Sequence, residues 1–102
     1  MRVISGAVLR NFWTLAGRAD SEGPLRAWLA EARAARWKSP AELKARYPKA
    51  SLVGDRVVFN IGGNKYRLIV HINYSLGIVL IKFIGTHQEY DEVDVLTVGG
   101  RL

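Results

Sequence analysis

Residues 56–90 contain three runs of β-forming residues, and this feature limits the possible folds more than any other. In each run apolar residues occupy every second position, and most polar and cationic side chains lie between them. The alternating apolar positions are Val57, Phe59 and Ile61, then Tyr66, Leu68, Val70 and Ile72, then Val79, Ile81 and Phe83. Because side chains on a strand point alternately to opposite faces, each run predicts a strand with one apolar face.

A short turn predicts how the first two strands pair. Gly63 and Asn64 both tolerate a positive φ, so a hairpin turn is expected between these strands. That turn sets Asn60 opposite Arg67.

The second connection predicts the pairing of the last two strands. A four-residue loop from Ser75 to Ile78 would set Ile72 opposite Ile81 and Arg67 opposite Thr86. This register keeps the apolar faces together, whereas a slip of one residue would bury charges.

With these pairings, one face of the sheet is polar and mostly cationic. Its predicted members are Asn60, Lys65, Arg67, His71 and Lys82. His87 follows just beyond the end of the sheet. A sheet with an apolar back and such a front is an expected platform for a phosphate-rich ligand.

Length and charge narrow the class of protein. A chain of 102 residues predicts one domain, residues 1–102, with a core that needs no disulfide, and the chain has no cysteine. The net charge is +6, and residues 1–67 hold 13 Lys and Arg against 5 Asp and Glu. This balance favours a polyanionic partner, above all nucleic acid, over a basic surface without such a role.

Nothing in the N-terminal residues MRVISGAVLRNFW indicates secretion. They lack a long apolar stretch with a cleavage site, and no apolar run has the length of a membrane span. We therefore expect a cytoplasmic protein that does not enter a membrane.

The rest of the chain predicts helices before the sheet and one after it. Residues 2–4 form a short strand or extended arm, a first helix runs from an N-cap at Ser5 to a stop at Gly17, and a polar loop spans residues 18–23. A second helix begins near Pro24, and Ser39 caps a third. A strand is expected at residues 50–53, a capping box at Thr86 opens a last helical turn, and residues 96–102 form a loose tail. The predicted fold class is therefore α+β.

Three segments carry a resemblance to a known family. The segments VFNIGGNKYRLIVHINY and GTHQEYD, together with the upstream WKSPAELKARYP, resemble the HigB family of bacterial toxins, which is related to RelE-type mRNA interferases. The resemblance implies a RelE-like fold, in which N-terminal helices pack on one face of a small antiparallel β-sheet and a short C-terminal helix follows. It also implies an endoribonuclease that cleaves mRNA on the ribosome. Its partner would be a HigA-like helix-turn-helix antitoxin, with which it would repress its own operon.

The residues contain groups suited to that chemistry. RNA cleavage without a metal needs a base for the ribose 2′-hydroxyl, an acid for the leaving 5′-oxygen and cations for the phosphorane. Arg67 is the candidate phosphate clamp, because its fork holds two oxygens, and it occupies the strand position of the catalytic arginine in RelE-type toxins. Lys65 would assist it, His87 would act as acid or base near neutral pH, and Tyr90 would stack on a base or relay a proton.

Lys82, His71 and Asn60 are expected RNA contacts rather than catalytic groups. Asn64 and Asp91 are explained by turn geometry and helix capping. No metal site or cofactor is expected, because two histidines without a cluster of acidic residues or cysteines do not form a metal site. Gly62-Gly63 joins two strands and is not a nucleotide-binding loop.

Other interpretations of the same residues stay open. Lys65 and Lys82 are equally well explained as solvated lysines, and Tyr90 as a core aromatic. The whole chain can also be a catalytically silent module that binds RNA or an antitoxin on the same fold. A DNA-binding regulator is disfavoured, because no basic helix is placed as a recognition helix.

Overall fold

The structure of the protein, a computed structural model, describes residues 1–100 and contains a five-stranded sheet with four α-helices. The strands are β1 (Arg2–Ile4), β2 (Ser51–Val53), β3 (Arg56–Ile61), β4 (Tyr66–Asn73) and β5 (Ile78–Thr86). The helices are α1 (Ala7–Trp13), α2 (Glu22–Ala34), α3 (Pro40–Arg46) and α4 (His87–Asp91). The order of strands across the sheet is β1-β5-β4-β3-β2. The predicted α+β class is confirmed.

The core lies between the N-terminal helices and one face of the sheet. Leu9 of α1 and Leu25 and Trp28 of α2 belong to the same buried cluster as the alternating apolar residues of β3 and β4. The Trp28 ring meets the Phe59 ring edge-on, with centroids 5.4 Å apart. The period-two pattern therefore identified the face of β3 and β4 that the helices cover. In β5 it was wrong at Phe83, which lies opposite Ile69 on the second face, because the bulge shifts the register and Ile84 packs against the core instead. No helix of residues 1–100 has the length and apolarity to cross a membrane.

The prediction of a wholly antiparallel sheet is wrong at one edge. β2, β3, β4 and β5 pair antiparallel, but β1 runs parallel to β5, with Val3 opposite Val79. A parallel partner needs a long crossover connection, and here every other helix and strand except α4 lies between the two strands in sequence. Alternation within three residues gives no information on strand direction.

The first hairpin has the predicted register. Asn60 lies opposite Arg67, and Ile61 lies opposite Tyr66. Gly62 and Gly63 both have a positive φ, at 63° and 71°, in the turn between these strands. The predicted register is confirmed, but the positive φ angles lie at Gly62 and Gly63 rather than at the predicted Gly63 and Asn64.

The second hairpin has a different register from the predicted one. Ile72 lies opposite Val79, not Ile81, and Arg67 lies opposite Gly85, not Thr86. The loop has four residues, as expected, but it spans residues 74–77 rather than 75–78, with Gly77 at φ 69°, and the register shifts between Ile69 and Val70. A bulge adds one residue to one strand, which the pattern of apolar residues does not reveal in advance.

The helix ends agree with the prediction in two of four places. Ser39 caps α3 by accepting the Glu42 N–H, and Thr86 and Glu89 form the predicted reciprocal capping box of α4. Ser5, by contrast, has φ 70° and does not cap α1, which begins after Gly6 and ends at Trp13, before Gly17. The expected loop of residues 18–23 contains a 3-10 turn, Ala19–Ser21, and the start of α2.

The second face of the sheet is covered more than predicted. Val58 and Ile69 point away from the helices, yet both are buried. Arg56 is only 3% exposed and donates hydrogen bonds to the carbonyls of Val95, Val98 and Gly100. The predicted loose tail is therefore packed on this face as far as residue 100; residues 101 and 102 lie outside the described residues.

Candidate active site

Arg67 lies near the start of β4, next to the β3–β4 turn, and the turn fixes its guanidinium. Nη1 donates to the Asn64 carbonyl at 3.0 Å and the Tyr66 carbonyl at 3.3 Å, and Nη2 donates to Asn64 Oδ1 at 2.8 Å. The residue is 9% exposed. These bonds hold the guanidinium in one orientation. Within residues 1–100 they leave Nε–H and one Nη2 proton without a protein acceptor.

Tyr90 and His87 of α4 lie beside this guanidinium. Arg67 Cζ is 5.9 Å from the centroid of the Tyr90 ring, within the range of a cation–π contact. The Tyr90 and His87 rings meet nearly edge-on, with centroids 6.4 Å apart. The structure therefore brings together three of the four predicted catalytic residues, and we call Arg67, Tyr90 and His87 the Arg–Tyr–His cluster.

His87 is oriented by a carboxylate on its own helix. Its Nδ1 lies 3.2 Å from Asp91 Oδ2, across one helical turn, and its side chain is half exposed. Because Nδ1 faces Asp91, Nε2 is the ring nitrogen available to a ligand.

Three contacts fix α4 at the end of the sheet. Glu89 accepts the Thr86 N–H at 2.8 Å with Oε1 and the Arg18 guanidinium at 2.9 Å with Oε2. The Thr86 backbone N–H, and then Arg18, hold the pKa of Glu89 below its ordinary value. The His87 N–H also donates to the Lys65 carbonyl at 3.2 Å. These contacts tie the start of α4 to the β3–β4 turn and to the segment before α2, so they set the position of His87 and Tyr90.

The ammonium of Lys65, the fourth predicted catalytic residue, points to a different partner. It forms an exposed ion pair with Asp20, which also accepts the Tyr66 hydroxyl. The hydrogen bond from Lys65 is the main cause that lowers the pKa of Asp20, and the same bond raises the pKa of Lys65. Lys65 therefore borders the Arg–Tyr–His cluster through its backbone, while its side chain is engaged elsewhere.

The three predicted RNA contacts lie in different surroundings. Asn60 is exposed next to Arg67 on β3. His71 is four residues from Arg67, roughly 13 Å along the strand, and its Nε2 lies 3.4 Å from Asp55. Lys82 lies at the bulge and donates to the Gly99 and Gly100 carbonyls at 3.4 and 3.2 Å. Only Asn60 borders the Arg–Tyr–His cluster.

Three partners of these residues were undervalued or missed from the sequence. Asn64 holds Arg67, Asp91 holds His87, and Asp20 holds Lys65. The spacing of four residues between His87 and Asp91 on a helix could have indicated their contact. Asp20 is 45 residues from Lys65, and no local pattern joins them.

No three His, Asp or Glu side chains come together as metal ligands within residues 1–100. The two histidines each face a single carboxylate, Asp55 for His71 and Asp91 for His87. These pairs orient the imidazoles rather than supply a ligand set.

The fold and the cluster can be compared with known families. The mixed α+β domain, with a five-stranded sheet and helices, is compatible with a RelE-like fold. The family model HigB_toxin, the RelE-like toxic component of a toxin-antitoxin system, matches residues 21–93. Since the match covers well over half of the chain, the protein belongs to the HigB_toxin family. A search of curated proteins gives no match.

Proposed function

We propose that the protein is an mRNA interferase, a metal-independent endoribonuclease that cleaves mRNA on the ribosome and so inhibits translation. The observation that carries the proposal is the Arg–Tyr–His cluster at one end of the sheet. The family supplies the toxin role, and the net charge of +6 suits a polyanionic substrate.

The proposed reaction is attack within the RNA chain. The 2′-hydroxyl oxygen bonds to the adjacent phosphorus, and the bond from phosphorus to the 5′-oxygen breaks. The products are a 2′,3′-cyclic phosphate and a 5′-hydroxyl. One group takes the proton of the 2′-hydroxyl, and another gives a proton to the leaving oxygen. His87 performs one of these transfers through Nε2, since Nδ1 faces Asp91.

Arg67 stabilises the charge that develops on the phosphorane. Its guanidinium is already oriented by Asn64 and Tyr66, so little reorganisation is needed when the charge appears. The Nε–H and the remaining Nη2 proton are the donors for phosphate oxygens. Tyr90 supports the guanidinium through its ring face and offers a stacking surface for a base.

The other predicted residues have outer roles in the proposal. Lys65 contacts a phosphate, and this contact competes with the ion pair between Lys65 and Asp20. Asn60 contacts RNA next to Arg67. His71 and Lys82 contact the RNA farther along the same face. In the structure His71 lies beside Asp55, and Lys82 donates to the C-terminal segment.

The family implies an antitoxin as partner. We propose that this antitoxin is a HigA-like helix-turn-helix protein, that mRNA and the ribosome are the other partners, and that the site of action is the cytoplasm.

A second candidate is a catalytically silent module that binds RNA or the antitoxin. The observation that favours it is the burial of Arg67, whose three hydrogen bonds to Asn64 and Tyr66 suit a purely structural role. The two candidates differ in whether RNA is cut.

Primer extension on an mRNA incubated with the protein, with and without translating ribosomes, separates the candidates. We expect new 5′ ends with the wild type, and a loss of at least about a hundredfold with Arg67→Ala and with His87→Ala. Arg67→Lys keeps the charge but loses the fork, so it should also be impaired. Arg36→Ala, an exposed arginine in the loop after α2, is the matched control. Absence of new ends in every condition, from folded protein, would favour the silent module.

A further inference from the structure

A groove of about 610 Å³ lies beside β3, outside the Arg–Tyr–His cluster. It exists because β2 pairs only with Arg56–Val58, so the rest of β3 extends beyond the end of β2. The end of α3 and the loop after it, residues 46–50, form one wall. Phe59, Asn60, Gly63 and Asn64 form the other.

The groove is continuous with the site of Arg67. Asn64 lines it and also accepts hydrogen bonds from the Arg67 guanidinium. Asn60 lines it and is the cross-strand partner of Arg67. Directly opposed residues have Cβ atoms about 5 Å apart, so a ligand whose phosphate lies on Arg67 is next to the groove.

The lining has the chemistry of single-stranded nucleotide recognition. The Arg46 guanidinium lies over the Tyr47 ring at 5.1 Å, and the Tyr47 ring meets Phe59 edge-on at 5.1 Å. Lys49 is exposed at the rim, and in the described part of the chain no lining residue is acidic. Phe59 is buried in the core, and Glu31 accepts hydrogen bonds from the Arg46 guanidinium and the Tyr47 hydroxyl. The half-buried Tyr47 ring and the exposed Arg46 guanidinium are therefore the planes that remain for stacking on an unpaired base, and amide side chains pair with base edges.

One end of the Asn64 side-chain amide is already hydrogen-bonded, which limits how it can contact a base. Its Oδ1 accepts from Arg67, so its NH₂ group is the end that remains for a base. The exposed Asn60 presents both an amide donor and an amide acceptor. Together they supply a mixed pattern of donors and acceptors, which a base edge matches and a phosphate, an acceptor only, does not.

We propose that this groove is a nucleotide subsite. It binds the base of an RNA nucleotide next to the phosphate held by Arg67, Asn60 pairs with the edge of that base, and Lys49 contacts the backbone. The proposal rests on the proposed function only in that it places a phosphate on Arg67.

The test is an NMR titration of the ¹⁵N-labelled full-length protein with AMP, GMP, CMP and UMP, and with ribose 5-phosphate as a probe without a base. We expect at least one mononucleotide to shift the backbone signal of Gly63 and the side-chain amide signals of Asn60 and Asn64. Its affinity should exceed that of ribose 5-phosphate by fivefold or more, and Asn60→Ala should abolish this difference. Asn11→Ala, an exposed asparagine of α1, is the matched control and should leave it unchanged.

A second pair of variants tests the rim. Lys49→Ala should weaken the binding of mononucleotides and ribose 5-phosphate equally, whereas Lys38→Ala, an exposed lysine that lies outside the groove, should not. Equal shifts with ribose 5-phosphate, shifts confined to other residues, or no shifts would each overturn the proposal. So would binding in the groove of only a peptide from the antitoxin.

The two proposals fail separately. Cleavage of mRNA without nucleotide shifts in the groove would refute the subsite and leave the RNase. Nucleotide shifts without cleavage would leave the subsite and refute the RNase.

Discussion

Two side chains at the proposed active site are oriented by polar neighbours close to them in the sequence. Asn64 orients Arg67, and Asp91 orients His87. A fixed side chain loses less conformational entropy when it meets a substrate, and its hydrogen bonds are already aligned. At this scale Arg67 and His87 were predicted from the sequence as candidates, but no orienting role was assigned to Asn64 or Asp91.

Replacing Asp91 tests whether orientation of His87 matters for the rate. Asp91→Ala should lower kcat roughly tenfold with KM nearly unchanged, because a general acid or base that is present but unfixed loses part of its effect. Asp91→Asn, which can still accept from Nδ1–H, should retain more activity than the alanine variant. Steady-state or single-turnover cleavage of one mRNA measures this, with Glu92→Ala as control. Equal kcat in wild type and Asp91→Ala would show that Asp91 has no positioning role.

At the scale of elements, α4 and the C-terminal segment depend on a few specific contacts. The capping box and the Arg18–Glu89 pair hold α4, and Arg56 and Lys82 hold the segment that follows it. The capping box was predictable because its signal is local in sequence. The hydrogen bonds from Arg56 to the C-terminal segment were not predictable, because the nearest acceptor in the sequence is 39 residues away.

The hold on α4 should depend on pH. The pKa of Glu89 lies below its ordinary value of 4.5, so its stabilising effect is complete above that value and is lost as the pH falls through the folded pKa. Urea unfolding should therefore show that wild type loses more stability between pH 7 and acid pH than Glu89→Gln does. Glu92→Gln, at an exposed position, serves as control. The same loss in wild type and Glu89→Gln would contradict this account.

The C-terminal segment should be released by one added methyl group. At Gly99, with φ 75°, a Cβ would lie 2.5 Å from the Lys82 carbonyl oxygen. At Gly100, with φ 84°, a Cβ would meet nothing within 4 Å. Gly99→Ala should therefore cost about 1–3 kcal/mol, from backbone strain and the clash together, and Gly100→Ala less.

Urea unfolding and amide exchange of residues 94–98 measure this release. Faster exchange in Gly99→Ala than in Gly100→Ala is the expected result, and equal behaviour of the two variants would contradict it.

At the scale of the whole molecule, local sequence patterns predicted parts of the structure. Features that depend on contacts between residues distant in the sequence were not predicted. Period-two alternation predicted the core face of β3 and β4, and the turn at Gly63 and Asn64 predicted that Asn60 lies opposite Arg67. The bulge in the second hairpin and the parallel β1 depend on contacts across the chain, so alternation could not predict them. The burial of Ile69 on the second face likewise depends on a tertiary arrangement that no local pattern encodes.

The same contrast between local patterns and tertiary contacts applies to the proposed active site. The capping box at Thr86 placed His87 and Tyr90 on one short helix, and the alternation of β4 placed Arg67 on the face beside them. Their meeting requires α4 to fold back to the start of β4, which the His87–Lys65 backbone hydrogen bond secures. The groove beside β3 depends on where β2 ends, and this is again a tertiary feature.

The chemistry of the RNA ends tests the central claim most directly. An mRNA cut by the protein on translating ribosomes is compared with the same mRNA carrying one 2′-deoxyribose at the mapped cleavage position. If the 2′-hydroxyl attacks the phosphorus, we expect a 2′,3′-cyclic phosphate and a 5′-hydroxyl from the first RNA, and no cleavage at that position of the second. Products that carry a 3′-hydroxyl and a 5′-phosphate, or cleavage at the deoxyribose, would contradict attack by the 2′-hydroxyl and the roles of Arg67 and His87 derived from it.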